Sequence, residues 1–235
     1  MHNLKSCFVK MTFACLFIVF TMYAQKPQLT ENDLLCNGES FFEMTDICKE
    51  LSKLAREDGV LISDKNFKQV AQSGQPISVI KNNFVKANPK PKYVVTDGGG
   101  IDLMFANCQP NDTSCKAIQD CKKELLSYIE EMKKAGVKAF LWMGYPEVPN
   151  MQNLTINQAI WTEVTKELIA QTTEPKAIYV DLLPVFAGHY NQYFSNNDYL
   201  HPNNTGSRAV AQAFWDAMKA NNYAFFDTGA VSVSE

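Results

Sequence analysis

An aspartate and a histidine three residues apart, Asp198 and His201 in the run Asp198-Tyr199-Leu200-His201-Pro202, carry the most legible chemistry in this chain. A histidine acting as general base needs a carboxylate on its second ring nitrogen, which fixes the tautomer and stabilises the imidazolium as it forms. A spacing of three supplies that contact locally. Pro202 biases His201 away from helical backbone, so the imidazole is expected on a held, non-helical segment at the mouth of the next helix. Of the three histidines only His189 and His201 lie beyond residue 24, and His189, the rival base, has no carboxylate at such a spacing. By itself the run also reads as a surface loop with a capping aspartate.

A nucleophile for that base is offered by Ser40, in Gly38-Glu39-Ser40. The serine sits where the apolar Leu34-Leu35-Cys36 hands over to a helical pattern at 41–58, with apolar residues at Met44, Ile47, Cys48, Leu51, Leu54 and Ala55 and a stop at Gly59. Such a handover aims helix N-terminal N–H groups at the nucleophile and at any developing oxyanion. Ser40 with Glu43 three residues later would equally make a capping box, which needs no chemistry. Gly74, after Ser73, permits close backbone approach to a ligand. The glycines at 98–100 follow a strand-like run at 93–96, but no Lys-Ser/Thr and no G-x-G-x-x-G accompanies them, which argues against nucleotide binding.

Taken in order, Gly38-Glu39-Ser40, Ser73-Gly74, Gly99-Gly100-Ile101-Asp102 and Asp198-x-x-His201 resemble the blocks of the SGNH (GDSL-like) hydrolases, over about residues 35–218. The resemblance implies a three-layer α/β/α sandwich with a parallel five-stranded sheet, flavodoxin-like. It implies Ser40 as nucleophile, Asp198 and His201 as triad partners, and an oxyanion hole from the N–H groups of Ser40, Gly74 and Gly100, with no metal or cofactor. Two positions depart from the family pattern. Glu39 replaces the aspartate of Gly-Asp-Ser, one methylene longer. Ile101 replaces the asparagine whose side-chain amide completes the oxyanion hole, a loss worth roughly 10² to 10³ in turnover. Compensating donors would be the amides of Gly99 and Gly100 or the side chain of Asn107.

The elements needed to position these residues follow from the pattern of the rest. Strand-like runs at 34–36, 60–62, 93–96, 137–143 and 177–182 alternate with helical patterns at 41–58, from Pro76 onward, 117–135, 155–170 and 207–220, as in a parallel α/β sheet. At 235 residues, with 46% hydrophobic content, the chain has material for one core and no compositional seam for a second. Residues 1–24, with Lys5 and Lys10 before an apolar run at 11–24, read as a cleaved secretory signal, leaving one domain over 25–235 that is secreted or periplasmic with no stable membrane span. Removing Lys5 and Lys10 leaves 20 basic against 25 acidic side chains, a net charge of −5, with no basic stripe for a nucleic-acid partner.

Beyond the signal lie Cys36, Cys48, Cys108, Cys115 and Cys121, an odd set that implies a free thiol or an intermolecular bond in an exported protein. Cys108 and Cys115 bracket a turn-rich stretch that a disulfide could staple, Cys121 competes as partner, and zinc is the weaker reading. Three functions are weighed. The first is a serine esterase acting on a small-molecule, lipid or acylated-glycan ester. The second is a catalytically impaired protein of the same fold that binds a glycan or lipid. The third, remote, is a metal-dependent phosphoesterase built on Asp97, Asp102, Asp181 and His201.

Overall fold

The computed structural model describes residues 26–195 and 199–221. Five parallel strands, β1 (Leu34–Cys36), β2 (Lys68–Gln69), β3 (Tyr93–Thr96), β4 (Ala139–Met143) and β5 (Lys176–Val180), form one sheet in the order β2-β1-β3-β4-β5. Strands buried on both faces must be apolar throughout. β1, β3 and β4 are fully buried, and alternate residues enter opposite layers. Leu34, Cys36, Val95, Leu141 and Met143 face one core; Leu35, Val94, Phe140 and Trp142 face the other.

The first core is closed by α2 (Ile47–Glu57) and α9 (Asn204–Ala220), through Ile47, Leu51, Val210, Phe214 and Met218. Polar ties fix these two helices to each other: Arg208 donates to Glu50 and Glu57 at 2.9 and 3.0 Å, and Trp215 Nε1 to Asp58 at 2.7 Å. The second core is closed by α3 (Ile77–Lys86), α5 (Lys116–Lys134) and α6 (Gln152–Gln171), through Ile80, Phe84, Ile118, Leu125, Tyr128 and Trp161. Four short helices complete the order: α1 (Ser40–Glu43), α4 (Gly100–Met104), α7 (Leu183–Phe186) and α8 (Tyr190–Tyr193). The result is the three-layer α/β/α arrangement expected from the sequence.

Two local expectations are corrected. The second strand lies at Lys68–Gln69, not at 60–62. The apolar 60–62 run instead closes under α2, with Val60 and Leu61 donating to Ala55 O, and Leu61 makes only a parallel bridge with Leu29. The helical pattern at 41–58 is two helices, α1 and α2, broken after Glu43. Cys36 and Cys48 are joined, as are Cys108 and Cys115, while Cys121 is a buried free thiol. The second bond is the staple expected across 108–115 and removes both sulfurs as zinc ligands. Among the described residues no helix is long and apolar enough to cross a membrane. The signal-like segment at 1–24 lies outside the described residues.

Candidate active site

Ser40 opens α1, immediately beyond the carboxyl end of β1. Its approach is set by Gly38, whose φ of +142° and whose missing Cβ admit Asp97: a methyl there would lie 2.0 Å from Asp97 Oδ1. That oxygen accepts the Glu39 N–H at 2.7 Å. The Cys36–Cys48 bond then ties the strand before the serine to the helix after it. Glu39, not Ser40, occupies the N-cap position, and no side chain caps the helix, so the capping box is not formed.

Glu39 instead reaches across to the β3 loop. Its buried carboxylate accepts the amides of Gly100 at 2.8 Å and Ile101 at 3.1 Å, the first two residues of α4, and also the Tyr145 hydroxyl. An anion at a helix N-terminus is favourable, but burial costs more: desolvation pushes the Glu39 carboxyl up to about 6 against these hydrogen bonds. Asp97, fully buried beside it, is raised well above the usual carboxylate range by burial and by the Glu39 charge. The two acids therefore titrate as a pair. Asp97 Oδ1 takes the Glu39 N–H, and the Tyr145 hydroxyl lies near enough to both acids to interact with each. Burial and both acids also raise the Tyr145 hydroxyl.

His201 lies on the non-helical segment before α9. Pro202 bridges to Phe194, the Asn203 N–H donates to Tyr193 O at 2.7 Å, and the Asn203 side chain caps α9 by accepting the Gly206 N–H at 3.0 Å. Gly206 is needed because a Cβ would stand 2.5 Å from Tyr193 O. The histidine is thus carried on a segment pinned at its next two residues.

These loops meet at a cleft of about 180 Å³, in which Ser40, Gly74, Gly100, Ile101 and His201 all take part. Phe41, Met104, Val148 and Leu154 make much of its wall apolar. Asp198 lies outside the described residues. The Gly100 amide is turned onto Glu39, which leaves Ser40 and Gly74 as the sequence-derived amides not so engaged in this site. Neither Gly99 nor Asn107, the proposed compensating donors, lines the cleft. His189 caps α8, lies 3.1 Å from Gln192 Oε1 and stacks on Tyr193, away from the cleft. Asp102 accepts the Ile77 N–H at 3.1 Å, and Asp181 accepts Leu183 N–H and pairs with Lys166 at 3.0 Å. Asp97, Asp102 and Asp181 therefore do not converge with His201, and among the described residues no group of acidic, histidine or cysteine side chains could hold a metal ion.

Sequence reasoning did not find the Glu39–Asp97–Tyr145 cluster or Gln158, a nine-tenths buried residue of the cleft wall. Glu39 and Asp97 stand out in the sequence for other reasons, and Tyr145 carries a signal only as the aromatic next to Pro146 in a loop after β4, whereas nothing points to their meeting.

No family model and no curated protein sequence matches the chain. Solved structures do. A carbohydrate esterase family 3 protein from Talaromyces cellulolyticus superposes with a TM-score of 0.62 at 16% identity, over 82% of this chain and 97% of that one. The lipase Lip_vut3 from a goat rumen metagenome gives 0.59 at 16%, over 86% and 100%. A member of the lipolytic G-D-S-L family from Veillonella parvula gives 0.55 at 19%, over 79% and 97%. The fold of this chain is that of the SGNH hydrolases.

Proposed function

We propose that this chain, having the SGNH hydrolase fold, is an exported serine esterase that cleaves carboxylic esters through an acyl-enzyme. The observation that carries the reading is the convergence of Ser40 and His201, 161 positions apart in sequence, on one cleft at the carboxyl ends of the strands. Ser40 Oγ attacks the acyl carbon while His201 accepts its proton, and Asp198 orients the imidazole. The N–H groups of Ser40 and Gly74 hold the oxyanion. Collapse expels the alcohol, which takes the proton from His201, and water then releases the acid by the same steps. Export is supported by the signal-like residues 1–24 and by the two disulfides, which persist in oxidising compartments.

Ile101 favours a second reading. It removes a side-chain donor and adds apolar surface to the cleft, as in a protein that keeps the pocket to bind a lipid or glycan without turnover. A fluorophosphonate probe separates the two. The esterase reading expects a phosphonyl adduct on Ser40, located by peptide mass spectrometry, that disappears in His201→Ala. A folded protein that forms no adduct and hydrolyses none of a varied ester panel would leave the binding reading.

A further inference from the structure

A second cavity, of about 380 Å³, adjoins the Ser40 cleft, and the two share Tyr145, Pro146 and Gln158 as a common wall. The shared wall contains one polar anomaly. Gln158 is nine-tenths buried, yet its carboxamide oxygen has no hydrogen-bond partner. Buried polar groups are normally satisfied, and one left open in a native fold calls for a reason. Relaxation of the helix does not supply it. On either side of Gln158, Asn157 Nδ2 donates to Leu103 O and Ala106 O at 2.9 Å each, and Trp161 Nε1 donates to Gly98 O at 3.0 Å. α6 is locked onto the β3 loop with Gln158 held between the cavities. Its terminal torsion is soft and can turn either end of the amide toward a ligand.

We infer that the two cavities form one substrate groove and that Gln158 is its specificity-determining residue, hydrogen-bonding a hydroxyl that the ester carries beyond its reacting carbonyl. This rests on the esterase reading. The rest of the second cavity suits such a group: Asn111, Thr113, Glu147, Thr155, Thr162 and Glu163 give its wall polar side chains beside the apolar Ile160 and Leu183. A hydroxyl suits the site because it can give to the amide oxygen or take from the amide nitrogen.

The test compares two matched pairs of esters. One pair, 4-nitrophenyl 3-hydroxybutyrate against 4-nitrophenyl butyrate, puts the hydroxyl on the acyl side. The other, glycerol monobutyrate against propyl butyrate, puts it on the alcohol side. The wild type is expected to prefer the hydroxylated member of one pair by about tenfold in kcat/KM, the worth of one neutral hydrogen bond, and the pair that responds identifies the side. In Gln158→Met, an unbranched replacement without the amide, that ratio is expected to fall to about one, with a melting temperature equal to or above the wild type. Gln158→Leu provides the same ratio should the thioether fit poorly. A ratio near one for both pairs in the wild type overturns the inference while leaving the esterase reading intact, as does a preference that survives in both variants. A folded wild type that cleaves none of the four esters overturns the esterase reading, and the inference falls with it.

Discussion

Replacing Glu39 by glutamine should change how stability depends on pH, in a direction set by the burial of its carboxyl. Burial raises the Glu39 carboxyl from 4.5 to about 6 in the fold. The folded state therefore holds this proton more tightly than the unfolded chain. Between those two values it binds more protons than the unfolded state, so unfolding free energy falls as pH rises. A shift of about 1.5 units at 1.36 kcal/mol each makes the loss about 2 kcal/mol, complete once pH exceeds the folded value. Glutamine resembles the protonated carboxyl and has no such loss. Removing the Glu39 charge also lowers the raised carboxyl of Asp97, which reduces its own opposition to ionisation and acts in the same direction. The assay is urea unfolding of wild type and Glu39→Gln at pH 4 and pH 7.5. Contributions from other carboxylates, such as Asp33, whose pKa is lowered, cancel between the two proteins. The stability gap should move by about 2 kcal/mol in favour of glutamine on going to pH 7.5. A gap constant to within about 0.5 kcal/mol, or one that moves the other way, would refute the claim that Glu39 is strained by its own ionisation.

Ile101→Asn should raise ester turnover by up to roughly 10²- to 10³-fold by restoring a side-chain donor beside Ser40, read as kcat on 4-nitrophenyl butyrate; an unchanged kcat in a folded variant would show that no donor is missing. Opening the Cys36–Cys48 bond as Cys36→Ser/Cys48→Ser should cost roughly 3 kcal/mol for a loop of this length, measured by denaturant midpoint under oxidising conditions; equal midpoints would contradict the clamp around Ser40. Gly100→Ala and Glu39→Asp should each destabilise, the first because the Glu39 carboxylate lies 2.9 to 3.0 Å from a Cβ at position 100. The double variant, whose shorter acid vacates that space, should be more stable than the sum of the two by about 1 kcal/mol; strict additivity would deny the contact.

The sequence reading reached furthest where burial imposes a pattern. β1, β3 and β4 show as apolar runs because a parallel strand covered on both faces has no other composition open to it. β2 escapes the same logic. Lys68–Gln69 pairs only with β1 at the sheet edge and is partly exposed, so polar residues serve there, while the more apolar 60–62 run misleads. At the site, glycines and histidine could be placed in order because turn chemistry is local. Glu39 could not be understood from its neighbours, since its partners are 58 to 106 residues away. Gln158 gave no signal at all: a glutamine in an amphipathic helix reads as solvated until the fold buries it.

Strand order explains why these distant residues meet. In the sequence β2-β1-β3-β4-β5, the chain leaves β1 toward one edge and then returns to build the other side from β3. Loops leaving β1 and β3 therefore diverge to opposite layers, opening a crevice at their carboxyl ends where open α/β sheets place ligands. Ser40 lies on one lip and Gly100 on the other. The Glu39 carboxylate crosses that crevice and takes the first two amides of α4. The same reach requires position 100 to lack a Cβ, and it withdraws the Gly100 amide from any oxyanion hole. Glu39 ties the two lips together, and Ile101 beside it adds apolar surface to the cleft. On the esterase reading, an N–H in such a cleft would act on developing charge with less screening than in water.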